Sequence, residues 1–355
     1  MGRRARTAIA AAVCLIAGVL ILALTPVPFV VWSPGAAADL LGARDGRPAL
    51  SVSSQETFPT SGPLLLPAYA QTEPDAQVTL AQALFAYWTP GRQVITRYAV
   101  YPPGSSAETV EDDEADQLAT SERDAVAAAL RSARLKVDPV PVVASVNAAG
   151  PSADKLRRGD MVLAVRAASA QAPTTVQTAQ EASAAIASVE IGSQVVLSIL
   201  RGGLPLDVTL VTAASKSAAS VSVIGATFTQ GYRYAPTVDF ALDPTFGGPT
   251  AGLPLALAVY DKVSAGSLLA DRVVAATGTI DANGSVGRVP AVRVQIATAA
   301  AAGASAFLLP AANCTDVGQD RPTLRLVPVA SLSEAVAALE ALADPAREST
   351  VKGCP

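Results

Sequence analysis

The sequence predicts a multi-domain α/β protein with an N-terminal transmembrane helix, and three observations indicate this. The chain has 355 residues, and domains typically hold roughly 100–200 residues each. A long uncharged apolar run follows the first arginines. Beyond it, short apolar runs separated by proline and glycine give way, near residue 135, to alternating strand and helix patterns.

The composition argues against several classes of protein. The net charge is −4 and no long basic block occurs, so we expect no nucleic-acid partner. No GxxxxGK[ST] stretch is present, so we expect no ATP site. Histidine is absent and the three cysteines are scattered, which argues against Ser-His-Asp catalysis and zinc chemistry. We expect no cofactor. A catalytic base in this chain would have to be a lysine, a carboxylate or the backbone.

Residues 1–31 are predicted to form a cytoplasmic tip and a membrane anchor. No charged residue lies between Arg6 and Asp39, and about 20 apolar residues suffice to span a bilayer. Because the arginines precede the run, the positive-inside rule predicts a single-pass cell-membrane protein with most of the chain extracytoplasmic. The alternative is a signal peptide cleaved near Ala36-Ala37-Ala38.

Residues 32–134 are predicted to be a β-rich N-terminal region that ends in an acidic surface helix. The stretch TLAQALFAYW predicts a short helix, and ITRYAVY alternates like a strand. The acidic run ETVEDDEADQ precedes SERDAVAAALRSA, in which Ser121 and Asp124 approximate a capping box. We interpret the acidic run as a solvated surface rather than as a cation site.

Residues 135–212 contain strand patterns separated by distinctive turns, which are Gly150-Pro151-Ser152-Ala153, Arg158-Gly159-Asp160 and Arg201-Gly202-Gly203. With Leu156, these residues resemble a PDZ domain. The resemblance implies that an extended peptide adds as a strand, here beside Val142, Val143 and Ala144. The preceding loop, residues 136–140, lacks glycine and contains a proline, so we do not expect it to capture a terminal carboxylate. The alternative is a spacer that binds nothing.

Four stretches within residues 217–345 are equally distinctive. They are GGPTAGLPLALAVYDK (247–262), RVVAATGTIDANGSVG (272–287), GASAFLLPAANC (303–314) and SLSEAVAALEAL, which Ser331 and Glu334 cap. They resemble the α+β proteolytic domain of Lon proteases. With the predicted anchor and the PDZ-like stretch, the chain resembles bacterial membrane-anchored proteins that join a PDZ domain to a Lon-type domain without an ATPase.

The Lon resemblance implies a serine endopeptidase with a Ser-Lys dyad, yet both positions differ here. The nucleophilic serine corresponds to Thr250, in a site loop that also includes Gly247, Gly248, Pro249 and Gly252. The lysine that acts as general base corresponds to Gln295, and a carboxamide does not function as a base. The only lysine within the four stretches, Lys262, lies twelve residues after Thr250, about 18 Å along a helix.

Two further departures occur near the dyad. Val289-Pro290-Ala291 replaces the family's Ile-Gly-Gly, where glycine permits backbone conformations that other residues resist. Pro254 cannot donate a hydrogen bond to the Thr250 carbonyl if Thr250 caps the helix, which predicts a displaced turn. We therefore expect Thr250 to be a structural cap.

These observations predict a catalytically impaired peptidase homologue, a pseudoenzyme, that binds envelope polypeptides. The alternative is an active endopeptidase that uses Thr250 as nucleophile with an unidentified base, and a third possibility is a pure adaptor. The Lon resemblance also implies assembly into homo- or hetero-oligomers.

Two cysteines, Cys314 and Cys354, lie in the part predicted to be extracytoplasmic, where disulfides persist. We expect a bond between them that ties the C-terminal tail, residues 346–355, to the last domain. The alternative is two free thiols.

Overall fold

The computed structural model describes residues 2–44, 46–242, 246, 248–318 and 324–354, with side chains outside residues 3–8. The chain forms two compact units. Residues 135–235 form one of them, which we call the middle unit. Residues 1–134 and 236–355 together form the other, which we call the split unit because the middle unit interrupts its sequence.

The N-terminal part of the split unit combines short strands with helices. Its elements are α1 (Arg3–Leu24), β1 (Pro26–Val27), β2 (Phe29–Asp39), β3 (Ala43–Arg44), β4 (Arg47–Pro48), β5 (Leu50–Ser53), β6 (Leu64–Gln71), β7 (Val78–Thr79), α2 (Leu80–Trp88), β8 (Gln93–Thr96), α3 (Arg97–Val100) and α4 (Ala107–Ser132). Helix α2 begins with a capping box between Thr79 and Gln82. The predicted strand ITRYAVY is instead divided between β8 and the short helix α3.

The predicted transmembrane anchor and single-pass topology need correction. Within the described residues, none of the helices has both the length and the apolar character that crossing a bilayer requires. The apolar run that extends to residue 31 is not one helix, because α1 ends at Leu24 and β2 begins at Phe29 within a sheet. The predicted fold class is therefore wrong in its first element, and the described chain has a mixed α/β fold.

Helix α4 starts earlier than the sequence predicts. The Ser106 hydroxyl accepts a hydrogen bond from the Thr109 N–H at 3.2 Å, and the Ser106 N–H donates to the Thr109 hydroxyl oxygen. Ser121 is therefore a buried residue within the helix rather than its cap. The acidic half of α4 is mostly exposed, whereas residues 125–130 are buried. One helix thus combines a solvated half with a packed half.

The middle unit is built on one antiparallel sheet with a short helix. Its elements are β9 (Asp138–Val146), β10 (Met161–Ala167), β11 (Thr174–Thr175), α5 (Ala179–Ala187), β12 (Gln194–Arg201), β13 (Leu204–Val211), β14 (Ala213–Ala214), β15 (Ser222–Val223) and β16 (Ala226–Arg233). The sheet order is β13-β12-β10-β9-β16, and β11 pairs with β10. Because β16 pairs with β9 along its whole length, the sheet includes residues beyond the predicted boundary at 212.

The C-terminal part completes the split unit. Its elements are β17 (Thr237–Phe240), α6 (Gly252–Val263), β18 (Val274–Ala276), β19 (Thr279–Ile280), β20 (Val286–Gly287), α7 (Val292–Ala301), β21 (Ala306–Pro310), β22 (Arg325–Val329) and α8 (Leu332–Ala343). The Ser331 hydroxyl accepts from the Glu334 N–H, which confirms the predicted cap of α8.

The main sheet of the split unit has the order β22-β21-β18-β6-β2-β8. Strand β18 is parallel to both β6 and β21, so N-terminal and C-terminal residues pair in its centre. Residues 32–134 therefore contribute strands to the same sheet as residues 217–345. Phe307 and Ala275 are fully buried in its core.

A disulfide joins Cys314 to Cys354 and holds the tail against the split unit. The Arg325 guanidinium also donates to the carbonyls of Glu348 and Val351, at 2.9 and 2.6 Å. Cys14 is a free, exposed cysteine.

Candidate functional site

Thr250 lies in a short 3₁₀ turn, Pro249–Ala251, immediately before α6. The preceding Gly248 has a φ of 88°, in the region that favours glycine. The side chain of Thr250 is 6% exposed. It does not cap α6, because the helix begins at Gly252 and its N-terminal position, Ala251, provides no side-chain cap. The expectation of a threonine cap thus differs from the structure.

The carbonyl of Thr250 has partners outside the helix. It accepts hydrogen bonds from the Gly278 N–H at 3.1 Å and from the Thr277 hydroxyl at 3.3 Å. Pro254 stands in the first turn of α6, where a missing N–H is tolerated. The turn is therefore stabilised by the chain between β18 and β19, and the proline fits it.

The loop around Thr250 is closely packed. A Cβ atom on Gly252 would lie 2.7 Å from the backbone nitrogen of Ile280, so this position requires glycine. The Ser121 hydroxyl of α4 donates to the Gly248 carbonyl at 3.2 Å. Gly247, also predicted as a site residue, lies outside the described residues. The acidic helix thus positions the predicted nucleophile loop, a contact that no local sequence pattern indicates.

Gln295 is a fully buried residue of α7. Neither its amide nitrogen nor its amide oxygen has a hydrogen-bond partner within the described part of the chain. Its neighbours Val294 and Ile296 belong to two apolar clusters. No hydrogen bond joins the Gln295 amide to Thr250 within the described chain. The position of the predicted base therefore has an apolar environment.

No amine replaces the missing base among the described contacts of Thr250. The Thr250 hydroxyl has no hydrogen-bond partner there, and Lys262 is at the opposite end of α6. Lys352, the other lysine of the split unit, is in the tail. Within the described residues, no group of three or more potential ligands could hold a metal ion. This arrangement has a positioned hydroxyl but no described group to receive its proton.

A second candidate site lies in the middle unit. The predicted peptide-binding residues Val142, Val143 and Ala144 belong to β9, which pairs with β10 on one side and β16 on the other. Both edges of β9 are thus occupied, so a peptide cannot add there. The sheet instead ends at β16, residues 226–233, which follow the predicted domain in sequence.

Helix α5 packs beside the edge strand β16. Ala185 of α5 and Phe228 of β16 are partly buried and pack on the same core cluster, and we call these two residues the apolar floor. At one end, the Gln230 amide donates to the Gln177 carbonyl at 3.0 Å, just before α5. An edge strand beside a helix can accept another strand by main-chain hydrogen bonding. The pairing partner of β16 is not visible in the sequence.

The chain between β15 and β16 is held close to the turn that follows β9. Gly225 has a φ of 75°, and a Cβ atom there would lie 3.0 Å from the Gly150 Cα atom. The buried Ser152 donates both its N–H and its hydroxyl to the Ile224 carbonyl. These contacts fix the start of β16 relative to the rest of the middle unit.

Comparisons with known proteins give limited information. No protein-family model and no curated protein matches this chain. Similar solved structures are the PDZ domains of SdrC-like proteins from Listeria monocytogenes and Listeria innocua, which are 24% and 23% identical. The match to the Listeria monocytogenes domain covers 25% of this chain and 85% of that domain, and the match to the Listeria innocua domain covers 26% and 93%. Both matches have a TM-score of 0.22. A solution structure of the second domain of the same Listeria innocua protein is 25% identical over 26% of the chain, with a TM-score of 0.21. TM-scores of this size carry no argument about function.

Proposed function

We propose that the middle unit is a PDZ-type module that binds an extended polypeptide segment at the outer edge of β16, beside α5. The observation that carries this proposal is that β16 ends the sheet and has α5 beside it. Main-chain groups of β16 would supply the hydrogen bonds, and Phe228 with Ala185 would contact alternate side chains of the ligand.

We further propose that the split unit is Lon-like but catalytically impaired. Two features support this proposal. Gln295 stands where the Lon resemblance implies a lysine, and both of its amide atoms lack partners in the described chain. The Thr250 hydroxyl has no described neighbour that could act as a base. The protein would then bind polypeptides without cutting them.

Peptides selected from a random library on the full chain would test the binding proposal. Their affinity can be measured by fluorescence anisotropy, and hydrogen exchange should show new protection within residues 226–233. Phe228→Asp places a charge on the apolar floor and should weaken binding by at least about tenfold, since a buried unpaired charge is costly. Leu204→Asp is the matched control, because Leu204 is 72% exposed on the opposite edge strand, β13. Equal loss in both variants, or protection that appears only elsewhere, would refute the proposal.

Cleavage of an unfolded protein substrate would test the loss of catalysis. Wild-type protein and Thr250→Ala should be indistinguishable, with no products in either case. Cleavage by the wild type that Thr250→Ala abolishes would show that the threonine is a nucleophile and would restore the peptidase alternative.

A further inference from the structure

A surface groove of the split unit contains none of the residues assigned above to the two candidate sites. Its cavity has a volume of about 440 Å³ and is formed by the end of α2, the turn at residues 89–92, strand β8 and Arg293 of α7. Gly91 lies against Ala297 of α7, so the turn is packed onto that helix. Neither the PDZ-type nor the Lon-type proposal uses this groove.

The groove has aromatic walls and a positive charge. Tyr87 and Trp88 are 73% and 72% exposed. Arg92 and Arg293 line the cavity, and none of the lining residues is a carboxylate. The Arg92 guanidinium lies 5.5 Å from the centroid of the Phe85 ring, a contact that orients its charge. In a chain with a net charge of −4, this surface favours an anionic partner.

The groove also has main-chain hydrogen-bonding capacity. Strand β8 is the last strand of the main sheet, and it pairs with β2 along one edge only within the described chain. An edge strand presents a row of N–H and C=O groups that another strand can use. The side-chain oxygen of Gln93, a groove residue, is buried and has no hydrogen-bond donor among the described residues.

From this geometry we propose that the groove binds an extended acidic polypeptide segment, which adds to β8 as an outer strand. A carboxylate of the segment pairs with Arg92, and its apolar side chains contact Tyr87 and Trp88. The inference is independent of the proposed function, because it uses neither the edge of β16 nor the Thr250 and Gln295 positions.

A charge-reversal experiment on the full-length chain tests this proposal. The probe is a synthetic peptide of alternating Glu and Val with blocked ends, and its counterpart has Lys in place of Glu. The chain has two tryptophans, of which Trp32 is 8% and Trp88 72% exposed, so fluorescence changes on binding should come from Trp88. Arg92→Glu is the test variant, and Arg47→Glu, another exposed arginine outside the groove, is its control.

We expect the acidic peptide to change the fluorescence saturably and the basic peptide to leave it unchanged. Arg92→Glu should weaken binding at least about tenfold and Arg47→Glu less than about twofold, and added salt should weaken the wild-type interaction. Equal binding of the two peptides, or an unchanged affinity in Arg92→Glu, would overturn the proposal. The proposal would also be overturned if a second copy of the chain occupies the groove. In that case the molecular mass measured in solution would be that of a dimer, and Arg92→Glu would shift it toward that of a monomer.

Discussion

Replacing Gln295 with methionine should stabilise the split unit. Methionine has nearly the shape of glutamine but no amide that requires hydrogen bonds. Gln295 is fully buried, and neither amide atom has a described partner. Mutational data place the cost of a buried unsatisfied polar group at about 1–3 kcal/mol. We therefore expect Gln295→Met to increase the free energy of unfolding by about 2 kcal/mol, minus any loss from imperfect packing.

Tryptophan fluorescence during urea unfolding measures this effect in the correct unit. Both tryptophans, Trp32 and Trp88, lie in the split unit, so the signal does not report on the middle unit. The midpoint should rise while the urea dependence of the free energy stays constant. Gln117→Met is the matched control, because Gln117 is exposed on α4 and its replacement should change the free energy by less than about 0.5 kcal/mol.

A decrease in stability would refute this reasoning. If Gln295→Met lost 1 kcal/mol or more, by order of magnitude one net hydrogen bond, the amide would have a partner in solution. A hydrogen bond to the Thr250 hydroxyl would then become the leading explanation, and the argument that the two positions are uncoupled would fail.

Three further predictions concern particular residues. Asp160 is 1% exposed and accepts two hydrogen bonds from the Arg201 guanidinium, at 2.8 and 2.7 Å. Asp160→Asn should therefore destabilise the middle unit by about 2–4 kcal/mol, measured by urea unfolding followed by circular dichroism. Asp207→Asn, at an exposed position, is the control and should have little effect. Burial would by itself raise the pKa of Asp160, but the hydrogen bonds from Arg201 lower the pKa of this carboxyl in the folded protein. The stability that the ionised Asp160 contributes should therefore be present above the ordinary carboxyl pKa and be lost as pH falls through the lowered pKa of the folded state. Burial raises the pKa of Asp261, so the folded protein binds a proton at this carboxyl more tightly than the unfolded chain does. The free energy of unfolding should therefore fall as pH rises from the ordinary carboxyl pKa through the raised pKa of the folded state. Asp261→Asn should flatten that part of the pH profile. Gly252→Ala should lower the free energy of unfolding by about 1–3 kcal/mol, measured by thermal unfolding, because the added Cβ atom would lie too close to the backbone of β19. The helical dihedral angles of Gly252 would otherwise suit alanine. An unchanged stability would mean that the loop shifts to accommodate the methyl group.

Local signals in the sequence predicted the elements that depend on local physics. Ser331 and Glu334 identified the start of α8, because a capping box needs only neighbouring residues. The apolar stretch after Gly252 correctly predicted α6, because its hydrophobic pattern is also a local signal. The start of α4 was misplaced, because Ser121 and Asp124 imitate a cap while Ser106 provides the real one.

Elements that depend on distant pairing could not be read from the sequence. Strand β16 pairs with β9 across about 80 to 95 residues, so the edge strand of the sheet lies outside the stretch that resembles a PDZ domain. The apolar run at the N-terminus is interrupted because β2 pairs with β6 and β8, a contact that hydropathy does not encode. In both cases, nonlocal hydrogen bonds determined the result.

The environment of Gln295 has a consequence for catalysis that substitution at this position alone cannot remove. A lysine in the same apolar surroundings would lose solvation, which lowers its pKa and would favour the neutral amine that a general base requires. That amine must also reach the hydroxyl it deprotonates, and no hydrogen bond joins the Gln295 amide to Thr250 in the described chain. Gln295→Lys should therefore destabilise the split unit without producing peptide cleavage. Cleavage by this single variant would show that the two positions approach each other in solution, and that the amide alone keeps the site inactive.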